Sequence, residues 1–272
     1  MENFLLPSKV EFHEGQTPNS GSVVITPCYH GYGTTLGNAL RRVLLSSLPG
    51  SAVEYFKVKG VSHEFSTVEG VKEDAMELML NLKQLAVKIF TDEPVVLNLV
   101  KKGPGVVTAA DFKANSNVEI VNPDLVIANL TSSKTLDIDV TVGKGRGYKP
   151  VEEKDKQNYD LGTIVMDSVY TPVKDVGYKV EYTRVGDITN FERLTINIET
   201  NGTIAPKDAL LQSTQILINH FNIILDEVNA ASDVLPTAID SAPEEQGEVE
   251  APEEADEVTE KKPKAKKTKK KA

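Results

Sequence analysis

Apolar and polar residues alternate with a period of two in short runs scattered from the N-terminus to about Asn229. Clear cases are Val23 to Ile25, Tyr55 to Val58, Val95 to Leu99, Leu136 to Val140, Tyr178 to Tyr182 and Leu194 to Ile198. Alternation carried largely by β-branched and aromatic residues predicts half-buried strands, and turns such as Lys101 to Gly105 separate them. The period changes to that of a helix in three places. One helix is expected from Thr34 or Thr35 as N-cap to Leu48, stopped by Pro49 and Gly50. A second covers about Glu73 to Leu82, and the third and longest covers Pro206 to Val228. The class is α+β.

The third helix carries two apolar rows. Leu210, Thr214, Leu217, Phe221, Ile224 and Val228 follow one another at steps of four and three, while Leu211, Ile218 and Leu225 recur every seventh position. Together they make an apolar face wider than the seam of a two-stranded coiled coil. A helix that only covers a sheet needs one row. Two rows favour a helix that packs on its own sheet with one and meets a second copy with the other.

Composition changes this picture at the C-terminal end. Of 272 residues 40% are hydrophobic, enough for one large or two ordinary domains, and the formal charge is −10. From Ala231 to Glu260 there are 11 acidic residues, no aromatic and no Leu beyond Leu235, and from Lys261 to Ala272 there are eight lysines. Such a segment cannot bury enough surface to offset its ordering entropy, so 230–272 is expected to be a disordered tail, acidic and then Lys-rich. The single cysteine, Cys28, excludes an intrachain disulfide framework and a Cys-rich zinc site. A reducing, cytoplasmic compartment fits. No apolar run reaches the roughly 20 residues that span a bilayer, and Met1 to Pro7 does not read as a signal peptide, so a soluble, unexported protein is expected.

Candidate chemistry is sparse. Gly31, Gly33 and Gly37 open the first helix, but their spacing misses the dinucleotide fingerprint and no P-loop lysine follows. Gly143 to Tyr148 interleaves glycine with Lys144 and Arg146, a pattern that can approach polyanions yet matches no phosphate template. His13, His30, His63 and His220 are scattered, no metal-binding spacing occurs, and there is no nucleophile elbow. Arg41 and Arg42 interrupt an apolar helix, which places at least one guanidinium near the edge of its buried face, a position suited to a protein contact.

The run GTTLGNALRRVLLSSLPG from Gly33 to Gly50 resembles the hallmark helix of the bacterial RNA polymerase alpha subunit family. His63 to Thr67, Glu69 to Val71, Leu80 to Lys83, Val107 to Asp111, Gly145 to Tyr148, Tyr170 to Val173 and Glu199 to Ile204 are similar to further family motifs in the family's order, so the likeness runs from about Phe4 to Val228. The resemblance implies a two-part N-terminal region of the alpha type. A dimerisation subdomain of a sheet plus two helices would comprise 1–49 and 174–229, and a mostly β subdomain, 50–173, would be inserted in it. The family's dimer nucleates assembly of the β and β′ subunits, with omega and sigma in the holoenzyme, and has no active site of its own.

By that resemblance Arg42 and Lys83 correspond to β-subunit contacts, and Val169, Tyr170, Thr171, Pro172 and Val173 to a β′-subunit contact. The dimer interface would use Leu36, Leu40, Val43 and Leu44 of the first long helix with Leu217, Phe221, Ile224 and Val228 of the last. No cofactor or metal is expected on this chain, since magnesium and zinc would belong to the large subunits. No membrane partner is expected. Family members usually continue into a small DNA-binding domain, and here the tail is expected in its place. Its Lys266, Lys267, Lys269, Lys270 and Lys271 can contact DNA without sequence preference, or be masked by the acidic block. Two other classes compete: a nucleotide-using enzyme resting on the glycine loops, and a DNA-coating protein working through the tail.

Overall fold

The computed structural model describes residues 6–154, 159–186 and 188–233, the last four as backbone only. In chain order the elements are β1 (Lys9–Glu14), β2 (Ser20–Cys28), α1 (Tyr32–Ser46), β3 (Pro49–Val58), α2 (Ala75–Leu82), β4 (Val87–Ile89), β5 (Val95–Lys102), β6 (Gly105–Thr108), β7 (Val118–Ile120), β8 (Val126–Leu130), β9 (Thr135–Arg146), β10 (Tyr148–Lys149), β11 (Thr163–Val165), β12 (Ser168–Val169), β13 (Val173–Val185), β14 (Ile188–Thr200) and α3 (Pro206–Asp233). The class is α+β with antiparallel pairing throughout the described ladders. One compact unit runs to Asp226, and a second begins at Glu227.

Two four-stranded sheets organise the first unit. One has the order β1-β2-β14-β13 and joins strands from both ends of the chain, with Val23 opposite Ile196 and Ile196 opposite Tyr178. The alternation that predicts a strand at Leu194 to Ile198 is the inward face of β14: Leu194, Ile196 and Ile198 are buried, and the residues between them are not. They meet Leu40, Leu44 and Leu48 in a cluster that also takes in Val173, Val176 and Ala209. The other sheet, β11-β3-β9-β5, backs a larger cluster with Phe56, Leu97, Leu99, Ile138 and Val140 against Leu78 and Leu82 of α2. Removing a buried side chain such as Leu44 or Leu78 to Ala costs about 2–5 kcal/mol.

Helix ends follow different rules in the three helices. α2 starts behind Asp74, whose Oδ1 accepts from the backbone N–H of Glu77 at 2.7 Å, an ordinary N-cap. α1 departs from expectation. It begins at Tyr32, not after Thr34 or Thr35, and its N-cap is Gly31 at φ 85°, which has no side chain to cap with. α3 continues to Asp233, so 230–233, assigned to the tail on composition, are helical in backbone. The rest of the tail, with its expected disorder, lies outside the described residues, as does the start of the chain before Leu6.

Candidate functional site

The surfaces of interest are set by α1, by the turn around Lys83 and Asp167, and by the exposed length of α3. α1 lies directly on β13 and β14 because Gly37 leaves no Cβ in the way: one built there would sit 2.7 Å from the Tyr178 ring and 3.0 Å from Leu194. The cap missing at Gly31 comes from across the sheet. Glu192 of β14 is 6% exposed, and its two carboxylate oxygens accept from the backbone N–H groups of Gly31 and Gly33, each at 2.9 Å. The carboxylate therefore occupies the amides a phosphate would need at this helix start. That occupancy argues against a nucleotide site in the glycine loop.

With α1 so fixed, its two adjacent arginines separate. Arg41 Nε donates to the carbonyl of Val176 on edge strand β13 at 3.0 Å, so this guanidinium is used within the chain. Arg42 is exposed and has no ion pair among the described residues. An exposed Arg on a rigid helix offers a planar fork of donors for a carboxylate.

Lys83 ends α2, and its Nζ lies 3.3 Å from Oδ2 of Asp167. Oδ1 of Asp167 accepts from the N–H of Val151 at 3.1 Å, and Tyr148 hydrogen-bonds the same carboxylate. Burial pushes the Asp167 carboxyl up, but the Val151 N–H, Lys83 and Tyr148 outweigh it, and the pKa falls below the usual carboxylate value. Asp167 directly precedes β12, whose Ser168 and Val169 pair with Lys149 and Tyr148 of β10. Lys83 is thereby tied to Asp167, two residues before Val169.

Only part of the stretch Val169 to Val173 is presented. Val169 is 41% exposed and Thr171 half-buried, whereas Tyr170, Pro172 and Val173 are buried and cannot offer side chains to a partner. Tyr170 donates its phenolic proton to Oε1 of Glu54 at 2.6 Å, and burial followed by that carboxylate pushes its pKa far up.

The interface residues expected on resemblance divide in the same way. Leu40 and Leu44 are consumed by the chain's own core, and Leu36 and Val43 are half-buried at its edge. On α3 the sheet-facing residues are Ala209 and Ser213 with Ile216, Leu210 and Leu217 beside them, so the first row read from the sequence reaches the core only through Leu210 and Leu217 and the second row does not. Leu211, Ile218, Phe221, Ile223, Ile224, Leu225 and Val228 are each 45% to 65% exposed. From Leu211 to Leu225 these exposed residues give α3 an apolar outer face.

Other constellations are internally satisfied. Lys154 Nζ and Ser168 Oγ are 2.6 Å apart, a spacing that hydrolases use for base and nucleophile, but both are sealed from solvent and Ser168 gives its proton to the carbonyl of Val53. Burial raises the Cys28 thiol, with Glu192 adding to the effect, which makes it a poor nucleophile. A cleft of about 500 Å³ beside Gly50 and Gln212 holds Lys88 and Lys144, already paired with Glu119 at 3.9 Å and Asp92 at 2.9 Å. Among the described residues no group of three or more His, Cys, Asp or Glu is arranged to hold a metal ion, and no helix is long and apolar enough to cross a membrane. The tail lysines Lys266, Lys267, Lys269, Lys270 and Lys271 lie outside the described residues.

Sequence reasoning missed Glu192, Asp167 and Lys154. Glu192 sits beside the irregularity in the pairing of β14 with β2, where Phe191 and Glu192 are buried in succession and the alternation fails. Lys154 lies in a polar run with no apolar pattern to mark it as internal.

Residues 55–171 match the family model described as the RNA polymerase Rpb3/RpoA insert domain. The match runs from β3 through β12 and supports an RNA polymerase subunit of the alpha/Rpb3 type.

Proposed function

We propose that this chain is a non-catalytic, alpha-type subunit of a cytoplasmic, DNA-dependent RNA polymerase, acting as a homodimeric platform on which the two large subunits assemble. The observation that carries the reading is the insert-domain match over 55–171, within a chain whose motifs outside that span also resemble the bacterial alpha subunit. The dimerisation subdomain would be 1–49 with 174–229 and the inserted one 50–173. α3 supports dimerisation: its exposed residues from Leu211 to Val228 form an apolar length that a second copy can cover. Leu36 and Val43 join them from α1, while Leu40 and Leu44 support the interface from inside.

The large subunits supply magnesium, zinc and the chemistry of nucleotidyl transfer, and this chain supplies position. Arg42 is assigned to the β subunit. Lys83, which pairs with Asp167, is assigned with Arg42 to the β subunit, and Val169 and Thr171 to the second surface, which meets β′. Omega and sigma complete the holoenzyme. The lysines of the tail release counterions from DNA phosphates and give weak, salt-sensitive DNA contact.

The test is to tag the chain at its C-terminus, purify it gently from its own cells at moderate salt and identify what accompanies it by mass spectrometry. Two large polymerase subunits with two copies of this chain are expected. Recovery of DNA or small partners without those subunits overturns the assignment.

A further inference from the structure

The strand pairing that holds the insert together is interrupted beside the second surface. β11 ends at Val165, opposite Tyr55, and β12 pairs with β10, so between Met166 and Tyr170 the chain leaves the ladder of β3. At the same place β3 bulges between Val53 and Tyr55, which leaves Glu54 without a register partner in β9. Beyond the N–H of Met166, which donates to the carbonyl of Glu54 at 3.2 Å, side chains bridge the break, with Lys154 at their centre. Nζ of Lys154, a residue 6% exposed, donates to the carbonyl of Glu54 at 2.9 Å, to the carbonyl of Met166 at 2.5 Å and to Oγ of Ser168 at 2.6 Å. Ser168 Oγ in turn donates to the carbonyl of Val53 at 2.7 Å, and Tyr170 reaches the Glu54 carboxylate.

Every proton of the ammonium has an acceptor, two on the departing segment and one on β3. A buried cation is an expensive way to fill space, since an apolar side chain of similar volume is often neutral or stabilising by comparison. What it adds is registration: three acceptors at fixed distances admit one placement of the segment. That placement leaves Val169 turned outward while Ser168 and Tyr170 are held in.

We propose that Lys154 is a positioning residue for partner docking, an internal ammonium that fixes the exposed face of Val169 and Thr171 without touching the partner. The inference rests on the reading of that stretch as the surface for the second large subunit, and deepens it. A residue that merely stabilised the chain would weaken all docking together. A positioning residue weakens docking on one surface only.

The experiment compares the full chain with Lys154→Met and Val169→Asp variants, measuring capture of each large subunit, dimer mass, and amide exchange along 167–171. Lys154→Met is expected to weaken the second large subunit about tenfold, to leave the subunit that meets Arg42 within about twofold, to keep the dimer, and to speed exchange in 167–171 about tenfold. Where that variant does not fold, Ser168→Ala removes one acceptor and is expected to give the same selectivity at about threefold. If Val169→Asp abolishes docking and the Lys154 or Ser168 variant does not weaken it, the positioning role is wrong. Equal loss on both surfaces makes the lysine a stabilising element only and also overturns it. If Val169→Asp itself has no effect, the docking stretch was misassigned, and the proposal falls with that premise.

Discussion

Glu192 reaches across 161 residues of sequence to cap a helix that has no cap of its own, and removing it is a direct test of how α1 is held. Glu192→Ala deletes two hydrogen bonds at 2.9 Å, to the N–H groups of Gly31 and Gly33, one of them buried. A hydrogen bond to a charged group contributes about 1.5–3 kcal/mol, and a helix cap is worth about 0.5–2 kcal/mol. The carboxylate's own desolvation, relieved in the variant, offsets part of the loss. The net cost is about 2–4 kcal/mol. For a unit of this size that lowers Tm by about 5–15 °C, read by calorimetry or circular dichroism. Glu192→Gln keeps the shape but turns an amide donor toward one of the two N–H groups, and should fall between, at about 1–3 kcal/mol. Amide exchange at Gly31 to Thr35 should accelerate in both variants while that of β9 stays slow. A Glu192→Ala protein within about 0.5 kcal/mol of the parent would refute the reasoning, because the two N–H groups would then be served as well by water.

Phe221→Asp places a charge in the exposed apolar length of α3 and should yield monomers by light scattering; retained dimer mass would exclude that face as the interface. Arg42→Ala should keep the dimer and weaken docking of one large subunit by about 2–5 kcal/mol in a binding titration, the cost of truncating a desolvated charge pair, and unchanged affinity would remove Arg42 from the contact. Glu181 is held at about 2 by hydrogen bonds from Arg193 and then Lys179. Its folded pKa lies below the unfolded value, so its contribution is present above about pH 4.5 and lost as pH falls through about 2. An NMR titration midpoint near the ordinary glutamate value would contradict the pairing.

Much of the scaffold could be read from alternation alone, because a strand with one wet face records its orientation in every second residue. β14 shows this at Leu194, Ile196 and Ile198. What escaped was whatever depends on distant partners. The start of α1 was placed at the threonines, since nothing within the local sequence reveals that a glutamate on a far strand will cap Gly31. The apolar rows of α3 marked a helix with more to bury than one sheet needs, but they could not tell which residues its own sheet takes, and the inward line proved to run through Ala209 and Ser213. Lys154 carried no signal at all. Charged residues are read as solvated by default, and only the meeting of the bulge in β3 with the segment Met166 to Ser168 gives this one three acceptors.

The pairing of β2 with β14 also sets an order in time. At synthesis rates of about 5–20 residues per second, the span of 161 residues between Gly31 and Glu192 takes about 8–30 s to emerge. Through that interval the nascent chain carries a hairpin and an uncapped, apolar helix whose covering strands do not yet exist. The insert, with its nearer contacts such as α2 against β8, can fold on the ribosome meanwhile. The first segment made is therefore among the last to be finished, and a chaperone that shelters newly made chains would find in α1 its longest-lived client.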